Sequence, residues 1–127
     1  MENVISKELL SQVLGVKIND IVNSITTPNN LFEYEINTGK PNHLGDDTIY
    51  RQINIHELSH KCKEWARNKH YIIVSALINN KDTARAKIKY SSKKDAFLDT
   101  ETEYFNANTE SEAIFLACEY ILNNIKQ

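Results

Sequence analysis

The sequence predicts an α+β domain: an antiparallel sheet with two C-terminal helices packed on one face, and an N-terminal helix and hairpin extending it. Three observations carry this. Residues 55–68 and 110–125 repeat apolar side chains at helical spacing and have capping residues at their starts. Between them, Tyr71–Ile78 and Thr83–Tyr90 are rich in β-formers and each long enough for one strand. The chain has 127 residues, 41% hydrophobic and 25% charged, with 3 Gly and 2 Pro, which suits one compact core with little linker. Residues 1–127 therefore read as a single domain, with 1–52 the N-terminal helix and hairpin extension and 53–127 an α-β-β-β-α core.

Each element has a local reason. Ser6 precedes the helical run Lys7 to Leu14, and Gly15 follows it, giving a hydroxyl cap at one end and a left-handed stop at the other. Ile18–Ile25 and Leu31–Ile36 are β-rich runs flanking Thr26-Thr27-Pro28-Asn29-Asn30, so they predict a hairpin with Phe32, Tyr34 and Ile36 on one face and Glu33 and Glu35 on the other. Asn37–Asp47, with Gly39, Pro41 and Gly45, predicts a loop before a short strand at Thr48–Gln52. Asn54 is an N-cap for the helix Ile55–Asn68, Glu57 falls at the capping-box position, and Ile53 and Leu58 are placed for a hydrophobic staple.

Tyr71–Ile78 is apolar on both faces, whereas Thr83–Tyr90 alternates, with Ala84, Ala86, Ile88 and Tyr90 on one side and Arg85, Lys87 and Lys89 on the other. Ser91–Asp95 predicts a turn, and a third strand is expected within Glu101–Ala107. Thr109-Glu110-Ser111-Glu112 is a capping box opening the last helix, Glu110–Ile125. The expected core includes Leu58, Cys62, Trp65, Ile72, Val74, Ile88, Ala113, Ala117 and Ile121. A second sheet face only partly covered by the N-terminal segment predicts a homo-oligomer.

The bulk chemistry narrows the class. No apolar run approaches the ~18 residues of a membrane span, and the start MENVISKELL lacks the basic-then-apolar order of a secretion signal, so a cytoplasmic protein with no membrane partner is expected. Cys62 and Cys118 are the only cysteines, each in a helical apolar pattern, which predicts free buried thiols. The formal net charge is −2, but residues 61–94 hold 10 Lys/Arg against 2 Asp/Glu while both flanks are acidic. Such a basic block attracts anions when it is not simply a solvated face.

The string His56-Glu57-Leu58-Ser59-His60 matches the H-E-x-x-H signature of a zinc peptidase helix. Helical spacing puts Ile55, Leu58, Cys62, Trp65 and Ala66 on one apolar stripe and His56, His60, Lys63 and Arg67 on the opposite one. Zinc held by His56 and His60 would lie beside two cations and would still need a third protein ligand. Glu57 already has a capping role, and Lys61 stands where such peptidases usually carry an uncharged residue. The expectation is therefore no enzyme and no cofactor, with a zinc hydrolase using His56 and His60 as the alternative. His43 reads as a loop residue, and Asp99, Glu101 and Glu103 as one solvent face of a strand. No Gly-rich phosphate loop and no G-x-S-x-G elbow is present.

The binding candidates are basic. On Thr83–Tyr90, Arg85, Lys87 and Lys89 project like charges ~7 Å apart along one face, a costly arrangement unless solvent or an anion compensates it. Lys63 and Arg67 form a second cationic stripe.

The helix-strand-strand-strand-helix order from Asn54 to Ile125 resembles that of double-stranded RNA-binding domains. That family presents lysines at the start of its last helix, where this chain has Glu110 and Glu112, so the likeness is one of topology and nucleic-acid binding is only an alternative. A closer resemblance is to phage α-β-α sandwich domains, small phage and prophage accessory proteins. It rests on Cys62-Lys63-Glu64-Trp65-Ala66, the basic turn Lys69-His70-Tyr71, and Thr109-Glu110-Ser111-Glu112-Ala113-Ile114-Phe115-Leu116-Ala117-Cys118, which looks like that family's T-x-x-E-A-I-x-x-A close. The resemblance covers about the last 75 residues. It implies a non-catalytic counter-defence protein in the host cytoplasm, sequestering an anionic nucleotide or blocking a host defence protein. Arg85, Lys87, Lys89, Lys63 and Arg67 are the residues proposed to hold that ligand.

Overall fold

The computed structural model describes residues 5–23, 31–37, 48–77, 83–90 and 100–125. Its contacts divide the chain into two compact units, Met1–Leu58 and Ser59–Gln127. Both combine helix with antiparallel sheet, so the chain is α+β. The turns expected at 26–30, 38–47 and 91–95, together with His43 and Asp99, lie outside the described residues.

In the first unit, α1 (Lys7–Leu14) begins where the Ser6 hydroxyl accepts from the Leu9 N–H at 3.1 Å. It ends at Gly15, whose φ of 70° is the left-handed conformation that only a residue without Cβ takes freely. Leu9 and Leu10 are buried. The Ser11 hydroxyl accepts from the Ile18 N–H at 3.1 Å, tying the helix to the strand that follows. Strands β1 (Ile18–Asn23), β2 (Leu31–Asn37) and β3 (Thr48–Asn54) form a three-stranded antiparallel sheet in chain order. Phe32 and Tyr34 are buried and Ile36 half-buried, the face that alternation selects. Burial raises the Tyr34 hydroxyl pKa above its usual value, against the opposing influence of Arg51, its cross-strand partner.

Helix α2 (Ile55–Asn68) starts at the expected residue: the Asn54 side-chain carbonyl accepts from the His56 N–H at 2.8 Å. Ile53 and Leu58, the staple pair, are both buried, and the stripe continues through Cys62, Trp65 and Ala66. The helix closes at His70, whose φ is 72°.

In the second unit, β4 (Tyr71–Leu77) and β5 (Ala84–Tyr90) form a seven-pair antiparallel ladder. The expected third strand is split into β6 (Thr100–Glu101) and β7 (Phe105–Ala107), both paired to β5. The Ile88 N–H instead donates to the Thr102 hydroxyl at 3.0 Å, and its carbonyl accepts from the Thr102 N–H, so Thr102 fills the break. Helix α3 (Glu110–Ile125) is capped by the Thr109 hydroxyl, which accepts from the Glu112 N–H at 3.2 Å, and packs on β4, β5 and β7. Helices α2 and α3 meet through a buried hydrogen bond from the Ser59 to the Ser111 hydroxyl at 2.8 Å and a contact from the Cys118 thiol to the Cys62 carbonyl at 3.6 Å.

Two expectations are corrected. Among the described residues the N-terminal strands pair with one another, in a three-stranded sheet separate from that of β4 and β5, rather than extending it. The inward residue of β4 is Ile73, not Ile72 or Val74: Ile73 is 7% exposed and Val74 42%, with Ile72 half-buried. Register is the cause. Ile73 lies opposite Ile88, and directly paired residues share a face, so the parity of β5 fixes that of β4. The remaining expected core residues, Leu58, Cys62, Trp65, Ile88, Ala113, Ala117 and Ile121, are all buried.

Candidate functional site

The strict alternation of β5 sends Ala84, Ala86 and Ile88 into the core and leaves Arg85, Lys87 and Lys89 on the other face, half-buried. Opposite them on β4 stand Ala76, Val74 and Ile72. This face is therefore mixed, a row of cations beside a row of small apolar side chains.

Two of the three cations are answered within the chain. The Arg85 guanidinium lies over the Tyr104 ring, 4.1 Å from its centroid, and Lys87 Nζ is 5.2 Å from the same centroid. Lys87 also pairs with Glu101 at 3.4 Å, and this hydrogen bond raises its pKa above the usual lysine value. Glu101, read from sequence as part of a solvent face, thus has a cationic partner. Lys89 has no ionic partner among the described residues.

Lys63 and Arg67, one turn apart on α2, line a cleft of about 250 Å³ with Tyr71, Ile72 and Ile73 of β4. Ile72 is also the cross-strand partner of Lys89, and both belong to the face away from α3. Ile72 thus lines the cleft that holds the α2 cations and pairs with Lys89, which is outside the cleft lining. The Tyr71 ring packs against Tyr90, with centroids 5.5 Å apart, which fixes the floor.

His56 and His60 are exposed, and His60 Nε2 sits 2.7 Å from the Glu64 carboxylate one turn along. Among the described residues no group of three His, Cys, Asp or Glu side chains is close enough to hold a metal ion. Cys62 and Cys118 are buried and unbridged. The Cys118 pKa is raised, first by its hydrogen bond with Cys62 and then by burial, which makes it an inert thiol rather than a nucleophile.

Of the residues singled out by sequence, the structure places Lys63 and Arg67 in one cleft with Ile72, sets Lys89 across the ladder from Ile72 and outside the cleft lining, and commits Arg85 and Lys87 to Tyr104 and Glu101. Sequence reasoning missed Tyr71, Ile72 and Tyr104. The signal for Tyr71 was present in the turn Lys69-His70-Tyr71; Tyr104 gave none, because it acts through a break in the strand that carries it. Among the described residues no helix is long and apolar enough to cross a membrane. Searches of protein-family models, of curated proteins and of solved structures find no match to this chain.

Proposed function

We propose that this chain is a non-catalytic binding protein of phage type that sequesters an anionic, phosphate-bearing small molecule of the nucleotide class. The observation that carries the reading is the pair of cations Lys63 and Arg67 lining the α2–β4 cleft, with Lys89 the cross-strand partner of the cleft residue Ile72. Two cations without a carboxylate in the described cleft lining favour a ligand that brings its own negative charge. The cleft is smaller than the ~300–1,000 Å³ that encloses a drug-sized ligand, so it suits a phosphate group with its sugar. The rest of the ligand lies along the row of half-buried Ile72 and exposed Val74 and Ala76, an apolar strip on which a base can rest. Blocking a host defence protein with the same basic face is the second form of this reading.

The test is capture. The protein is incubated with a nucleotide extract from cells running nucleotide-signalling defence, washed, and denatured, and the released molecules are read by mass spectrometry. Release of a stoichiometric nucleotide, lost in Arg67→Glu and Lys89→Glu, supports the reading. Absence of any released nucleotide defeats it.

A further inference from the structure

A second cavity has the opposite chemistry. A space of about 410 Å³ is lined by Tyr90, Tyr104, Phe105 and Tyr120 together with Glu101, Thr102 and Glu103. Four aromatic rings and two carboxylates form the lining, with no Lys, Arg or His among them. The fold builds it from the break between β6 and β7: residues 102–104 leave the ladder, and Phe105 re-enters it with its ring packed against Tyr120 of α3, centroids 5.6 Å apart.

Aromatic faces carry the negative end of the ring quadrupole, and together they attract a poorly hydrated cation. Tyr104 demonstrates this in place, since it holds the Arg85 guanidinium at 4.1 Å. Glu101 is occupied by Lys87, whereas Glu103 is exposed at the cavity and has no ion pair among the described residues. A strongly hydrated metal ion would find too few oxygens here, and a phosphate would meet two carboxylates. From the geometry we infer a second binding site, distinct from the cationic cleft, that takes an alkylated ammonium group in the cavity formed by Tyr90, Tyr104, Phe105 and Tyr120, with Glu103 at its rim. The volume accommodates a trimethylammonium head with its short alkyl chain.

The charge of the ligand is the variable to test, with shape held constant. Choline and its neutral carbon isostere 3,3-dimethylbutan-1-ol are titrated into the intact protein, and binding is followed by amide chemical shifts of residues 100–107 and 120. The expected result is saturable shifts with choline and at least roughly threefold weaker binding of the isostere. Glu103→Gln, at an exposed position, should weaken choline about threefold or more without altering the isostere; Tyr120→Leu should weaken choline more than the isostere, and its amide spectrum shows whether the fold is kept. Equal binding of choline and isostere overturns the proposal, as does the absence of saturable shifts with choline at tens of millimolar.

Discussion

Val74 and Lys87 stand directly opposite each other across the β4–β5 ladder, on the sheet face turned away from α3. One residue earlier, Ile73 faces Ile88 in the core. Adjacent β4 residues of nearly equal hydrophobicity therefore differ sharply in what they stabilise. Ile73→Ala should cost about 2–4 kcal/mol and Val74→Ala less than about 1 kcal/mol, by urea unfolding monitored at Trp65. Equal losses would mean that the ladder is out of register by one residue.

That contrast shows where sequence reading stops. The helices were legible because caps and stripes are local: Ser6, Gly15, Asn54 and Thr109 all mark ends where the structure has them. β5 was legible because alternation chooses a face by itself. β4 was not, since a strand apolar on both sides leaves its parity to its partner, and that pairing is a long-range fact. The site divides in the same way. The α2 stripe of Lys63 and Arg67 could be read from spacing, but the cleft it forms with Tyr71, Ile72 and Ile73 depends on how the helix meets β4. The neutralisation of Lys87 by Glu101 depends on β6 joining the ladder two residues away.

The hydroxyls of Ser59 and Ser111 join α2 to α3 inside the core. Removing one partner leaves a buried hydroxyl short of a hydrogen bond, whereas removing both leaves an apolar contact. Ser59→Ala and Ser111→Ala should each destabilise by about 1 kcal/mol or more, and the double variant by less than their sum. A double-mutant cycle with no coupling would contradict the bond.

Cys118 gives the fold a pH dependence of known sign. Its folded pKa is raised above the ordinary value of 9.0, so the native state keeps the proton that an unfolded thiol loses. The stabilisation is complete below about pH 9 and falls as pH rises beyond it, by up to ~1.4 kcal/mol per pH unit. Subtracting the stability profile of Cys118→Ala from that of the parent isolates this slope from the titration of lysines and tyrosines. In native protein at pH 8 the thiol should also resist alkylation by iodoacetamide and react once urea unfolds the chain. Rapid native alkylation at Cys118 would refute the buried, hydrogen-bonded thiol.

If Lys87 adds to anion binding on the β5 face, Glu101 is its internal competitor. Glu101→Gln releases Lys87 from a 3.4 Å pair and removes a negative charge from the same face. Binding of pyrophosphate, measured by calorimetry at low salt, should tighten in this variant and weaken in Lys89→Glu, and both effects should shrink as salt is raised. Unchanged binding in Glu101→Gln would confine the anion to Lys63, Arg67 and Lys89.

The string His56-Glu57-Leu58-Ser59-His60 separates a capped surface helix from a metal site by two independent readouts. The Asn54 side chain satisfies the His56 N–H at 2.8 Å, so Asn54→Ala should lower stability by about 1 kcal/mol whether or not metal is added. His60 lies 2.7 Å from Glu64 and is exposed, so His60→Ala should change stability by less than about 0.5 kcal/mol. A zinc site would reverse this order. Zinc binds the folded state through both histidines, and adding it would raise the melting temperature of the parent in a way that His56→Ala and His60→Ala both abolish. Protein prepared without a histidine tag, dialysed against zinc and analysed for metal, should retain well under one zinc per chain and show no zinc-dependent rise in melting temperature. One zinc per chain, lost in His60→Ala and accompanied by peptide hydrolysis that disappears in Glu57→Gln, would replace the surface-helix reading with a hydrolase.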